Sequence, residues 1–155
     1  MSNASKPFVY QRDESELRWM GETSTHFLAT GALTGGAFAL VEEKAKRGVS
    51  VPLHKHQDDM ESFYVLEGEV AFYLGDQPGI RARAGAFVHV PGGTVHGFRI
   101  ESETARYLIL TTARHAEFYR AITAPSALTP IDDAVIGKAC QEYGVDFVGP
   151  LPDQR

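Results

Sequence analysis

The residues with the most chemistry in this chain are three histidines and a glutamate, His54, His56, Glu61 and His96. In an extended strand, residues two apart face the same way, so His54 and His56 project together into one interior. A short turn through Gln57 to Asp59 starts the next strand at Glu61, and the reversal brings its carboxylate back beside the two imidazoles. The turn at Pro91, Gly92 and Gly93 then delivers His96 at the start of another strand. Three neutral imidazoles and one carboxylate suit one divalent transition metal per chain, with Fe, Mn, Ni, Co, Cu and Zn all acceptable. Four protein ligands on a five- or six-coordinate ion leave positions for water, a small-molecule substrate or dioxygen. Such a site does Lewis-acid chemistry as well as binding.

These residues need a scaffold of strands. Between residues 25 and 112 the chain is a succession of short β-type segments separated by Gly, Pro and Asp, without a helical stripe among them, which is the pattern of a sandwich or barrel. The expected strands are 25–30, 36–44, 49–53, 61–66, 69–74, 80–84, 87–90, 95–101 and 105–110, with a hairpin turning through Gly75 to Gly79. Residues 1–24 read as an arm, extended or forming an edge strand, with Trp19 packed down. Residues 113–155 read as a helical extension of the same domain. One helix is expected over 115–122, where Phe118 and Ile122 share a face. A second is capped by Thr129, has Pro130 at its first position and is stopped by Gly144.

Composition narrows the function classes. The chain has 155 residues, 43% of them hydrophobic and 23% charged, enough to bury a core without a disulfide. A net charge of -5, with only Lys44, Lys46 and Arg47 concentrated, argues against nucleic-acid binding. The apolar runs are strand-sized, so no membrane-spanning helix is expected. The lone Cys140 excludes an intramolecular disulfide and, with the lack of a signal-peptide pattern, points to a cytoplasmic protein. Residues 1–4 have the look of an expression-tag remnant, which would carry no fold information.

The stretch from Gly48 to Gly68 matches the pattern G-x5-H-x-H-x4-E-x6-G residue for residue. Gly85, Pro91, Gly93 and His96 match G-x5-P-x-G-x2-H-x3-N, with Ile100 standing where Asn is usual. On these two motifs the chain resembles the cupin superfamily, and the 16 residues between them resemble its small single-domain members. The resemblance implies an all-β fold, the cupin double-stranded β-helix or jelly-roll barrel, here with an N-terminal arm and two short C-terminal helices. It also implies a homodimer. The wider layout is similar to flavonol (quercetin) dioxygenase-like cupins, which implies a metal-dependent oxidoreductase using dioxygen on a small aromatic or enolizable substrate. Two alternatives stay open: an oxygen-independent isomerase, cyclase or decarboxylase, and a non-catalytic small-molecule-binding cupin.

Within that frame Glu61 has two readings, a permanent ligand or a catalytic base that takes the substrate's proton. Parity from Glu61 aims Phe63 and Val65 inward, and parity from His96 aims Phe98 and Ile100 inward. Together with Phe38 and His26 they form the expected substrate pocket, although barrel interiors are apolar in any case. His89 and His115 read as surface or core residues. Asp58 and Asp59 are candidates to hydrogen-bond the free nitrogens of the ligating histidines.

Overall fold

The architecture is that of a computed structural model describing residues 5–152; residues 1–4, with their tag-like reading, and residues 153–155 lie outside the described residues. Its strands are β1 (Glu16–Met20), β2 (Thr23–Ala29), β3 (Ala39–Lys46), β4 (Ser50–His56), β5 (Glu61–Glu67), β6 (Glu69–Leu74), β7 (Ile80–Arg83), β8 (Phe87–Val90), β9 (His96–Ile100), β10 (Thr104–Thr111) and β11 (Val145–Gly149). Three short helices join them: α1 (Gly31–Thr34), α2 (Ala113–Ala121) and α3 (Asp133–Tyr143). One antiparallel sheet has the order β1-β2-β3-β10-β5-β8, the other β11-β4-β9-β6-β7.

Alternation decides the inner faces. In β3, Ala39, Val41 and Ala45 are buried while Lys44 and Lys46 are exposed, and in β10 Ala105, Tyr107, Ile109 and Thr111 are buried. The two inner faces share one core, centred on the rings of Phe63, Phe72, Phe98 and Tyr107. Phe63 meets Phe72 edge-on at 4.9 Å between centroids, and Phe98 meets Tyr107 edge-on at 5.8 Å. Such pairs add about 1 kcal/mol each beyond the area they bury. Gly68, which ends the first motif, sits at φ +83° where β5 turns into β6, and a Cβ there would collide with the backbone of Thr104 and Ala105. Only glycine fits that crossing.

Each expected strand is present within a few residues, and the jelly-roll arrangement is the expected one. Four details differ. The strand expected from residue 36 starts at Ala39, because Thr34 closes a helical turn by donating its hydroxyl to the carbonyls of Thr30 and Phe38. The second C-terminal helix starts at Asp133 rather than after Thr129, since Asp132 caps it by accepting from the Val135 N–H at 2.9 Å. Gly144 does end it, in the left-handed conformation. The first helix begins at Ala113, with Thr112 as its cap. Finally, β11 was not expected; five residues are too few for alternation to stand out, yet β11 adds an edge beside β4. At the other end β1 is the edge strand, and Trp19 exchanges backbone hydrogen bonds of 2.7 and 2.8 Å with Ala124.

Candidate metal centre

Three neighbouring strands bring the four chemical residues together. His54 and His56 end β4, Glu61 opens β5, and His96 opens β9 directly opposite His54. The loop from Gln57 to Met60 is pinned to the second motif by Gly93, at φ +82°, whose N–H donates to the His56 carbonyl at 2.6 Å. All four side chains are buried, and one ligand atom from each lies within 4.8 Å of the others.

Hydrogen bonding sets which nitrogen faces inward. His54 Nδ1 lies 2.8 Å from the Pro52 carbonyl, His56 Nδ1 3.2 Å from the Asp59 carbonyl, and His96 Nδ1 2.8 Å from the Thr94 carbonyl. A carbonyl only accepts, so each Nδ1 carries the proton and each Nε2 presents a lone pair. His56 Nε2 and His96 Nε2 lie 2.8 and 3.4 Å from Glu61 Oε1, and His56 Nε2 has no well-aligned hydrogen-bond partner among the described residues. Three lone pairs converging on a carboxylate repel one another unless protons or a cation sit between them. The residues therefore fit a divalent metal ion, and this donor set would hold it.

The electrostatics agree. Burial, helped by the neighbouring His96, pushes the His54 imidazole down to about 4, which keeps it neutral and ready to ligate. Burial alone would lower His56 and raise Glu61, but their mutual contact wins for both. His56 is raised, and Glu61 is held well below the usual carboxylate range by His115, His56 and His96.

Two residues at this site come from α2 and were not singled out by their sequence. The Tyr119 hydroxyl donates to Glu61 Oε2 at 2.8 Å. His115, expected at the surface or in the core, stacks on the His56 ring at 3.9 Å with its Nε2 3.4 Å from Glu61 Oε1. His115 also points Nε2 at Glu61, but its Nδ1 is buried with no hydrogen-bond partner among the described residues, whereas the Nδ1 of each candidate ligand histidine faces a backbone carbonyl. It stands outside the four-residue cluster, with its Nε2 against Glu61. The available signal was the stripe His115, Phe118, Tyr119 and Ile122 at helical spacing, which carries two polar groups on an otherwise apolar face.

A cavity of about 240 Å³ opens beside the cluster, reaching His54, Glu61, His115 and Tyr119. Of the six expected pocket residues, Phe98 lines it. Phe63, Val65 and Ile100 do point inward but are fully packed into the core beneath. Phe38 lies before β3 and is 41% exposed, and His26 points to the outer arm, 3.1 Å from Ser15 Oγ. Phe118 of α2, Ile122 just after it, Ile136 of α3 and Phe147 of β11 add apolar walls. Asp59 takes part through its backbone carbonyl, while its carboxylate accepts from Thr112 at 2.8 Å and pairs with Arg114 at 2.9 Å.

Residues 41–111, the span carrying all four ligand candidates, match the family model described as Cupin domain. Over that span the chain is similar to a cupin domain. Among characterised relatives, a quercetin 2,3-dioxygenase of Bacillus subtilis (strain 168) is 27% identical over 126 residues, covering 81% of this chain and 37% of that enzyme. This chain thus spans well under half the length of that relative. Among solved structures, the polyketide cyclase RemF of Streptomyces resistomycificus is 27% identical with a TM-score of 0.59, covering 70% of this chain and 80% of that one. A predicted oxalate decarboxylase from Thermotoga maritima has the same fold, with 22% identity and a TM-score of 0.61 over 68% of this chain and 98% of that one. Each of these three proteins is named as an enzyme. No helix among the described residues is long and apolar enough to cross a membrane.

Proposed function

We propose that this cupin is a metal-dependent oxidoreductase of the quercetin dioxygenase type, acting on a small aromatic or enolizable hydroxy compound. The observation that carries the reading is three imidazoles locked with Nε2 inward around a carboxylate, at the floor of an apolar, ring-sized cavity. The bound metal would supply Lewis acidity toward a substrate oxygen and a path for electrons to dioxygen. The chain's own residues do the rest. Phe98, Phe118 and Phe147 hold an aromatic body and keep water out. Glu61 Oε1 faces the imidazole nitrogens, while Oε2, already accepting from Tyr119, keeps a lone pair for the proton of the substrate hydroxyl.

The likeness to a polyketide cyclase favours a second reading, in which the same site polarises an enolizable polyketide-like compound without oxygen. Anaerobic titration of protein loaded with Fe, Mn, Co or Ni with flavonols, followed by air, separates the two. A flavonol spectral shift under nitrogen and oxygen uptake on admitting air are expected. The same shift without oxygen uptake moves the assignment to the oxygen-independent reading, and no shift with any of the four ions rules out the flavonol-type substrate.

A further inference from the structure

One acid inside the barrel is not used by the metal centre. Glu43 projects from the inner face of β3, between Val41 and Ala45, where strand alternation calls for an apolar side chain. It lines the same cavity as Glu61. In the ladder it stands beside Thr25 of β2 and Tyr107 of β10, which are its neighbours on either side. The Tyr107 hydroxyl donates to Glu43 Oε2 at 2.8 Å and the Thr25 hydroxyl to Oε1 at 3.4 Å. A carboxyl group has about four acceptor positions. Two are taken, and the remaining capacity faces a cavity whose other walls, among them Val49, Val51, Phe98 and Ile109, are apolar.

We propose that Glu43, positioned by Tyr107 and Thr25, is a second binding subsite that receives a hydroxyl group of a neutral, otherwise apolar ligand whose other end lies at the metal centre. The proposal rests on the reading of this cavity as the substrate site of a metal enzyme, and it adds a requirement: the ligand carries a second polar group. A half-buried carboxyl facing an apolar cavity is a costly feature for a fold to keep, and a site built to hydrogen-bond a hydroxyl discriminates strongly against analogues lacking it. Burial pushes the Glu43 carboxyl up to about 7, with the negative Glu61 adding to the rise and the Tyr107 hydrogen bond opposing it. Either protonation state accepts a hydrogen bond from a hydroxyl. An ammonium group is disfavoured, because a divalent ion at the other end of the same low-dielectric cavity repels it.

Phenol and toluene, of nearly equal size, test this in Zn(II)-loaded protein carrying carbon-13 at the glutamate side-chain carboxyls. The Glu43 resonance is identified by its absence in Glu43→Gln, a variant that keeps an acceptor for Tyr107. Phenol is expected to move that resonance and to bind on the order of tenfold more tightly than toluene, with the preference lost in Glu43→Leu. A Glu43 signal unmoved by phenol, a preference that survives in Glu43→Leu, or exclusion of both rings overturns the subsite. If Glu43→Leu does not fold, the resonance of the unaltered protein decides. Neither probe is a flavonol, so a failed flavonol titration would count against the proposed activity and leave this result standing.

Discussion

At the residue scale the site is organised around Glu61, which meets three imidazoles on one oxygen and a phenol on the other. Replacing Tyr119 with Phe removes a hydrogen bond to a buried carboxylate and should cost about 2 kcal/mol, measured by denaturant unfolding at pH 7; an unchanged midpoint would show that the contact contributes nothing. Glu43 makes a separate prediction about pH. Its carboxyl is raised from 4.5 to about 7 in the folded chain, so the folded state holds this proton more tightly than the unfolded one. The resulting stability is full below pH 4.5 and is lost as pH rises through 7, a decline of up to about 3 kcal/mol. In Glu43→Gln the decline attributable to this group should vanish from the pH dependence of unfolding. Metal uptake has the opposite slope. His56 is raised in the metal-free chain, and the ion competes with its proton, so affinity should weaken as pH falls through the raised value, from above 6.5 downward.

At the element scale, the strands that carry the ligands were legible because period-two alternation and the two glycine-bounded motifs coincide over residues 48–68 and 85–96. Helix α2 was legible as a helix and not as part of the site. Nothing local says that it folds back over the barrel mouth; that depends on long-range contacts such as the one from Thr112 to Asp59, 53 residues away. Of the expected pocket residues only Phe98 lines the cavity, for a related reason. Parity correctly turns Phe63, Val65 and Ile100 inward, but it does not say at which depth the core ends and the cavity begins. Asp59 joins these parts, since its carbonyl orients His56 while its carboxylate holds Thr112 and Arg114 at the start of α2. Asp59→Ala should therefore weaken metal binding about tenfold, as loss of a supporting contact does at other metal sites, besides lowering stability. Isothermal titration with Zn(II) gives the affinity, and an unchanged value would show that α2 anchoring and ligand geometry are independent.

At the scale of the whole molecule, the two sheets enclose the core, and α2, α3 and β11 add walls to a cavity that the strands also line. The candidate metal cluster spans β4, β5 and β9, so an ion held there would tie both sheets together. An ion that binds only the folded chain, supplied at a hundred times its dissociation constant, adds about 2.7 kcal/mol to stability. Chelator treatment should accordingly lower the melting temperature by several degrees, restored by adding the ion back. If His54, His56, Glu61 and His96 hold one metal ion, the metal stoichiometry of the chain reveals it. Equilibrium dialysis against Zn(II), Co(II), Ni(II) and anaerobic Fe(II), followed by elemental analysis, should find close to one ion per chain for at least one metal, and almost none in the double variant His54→Ala, His96→Ala. Failure of the unaltered chain to retain any of these ions, or full retention by the double variant, would contradict it.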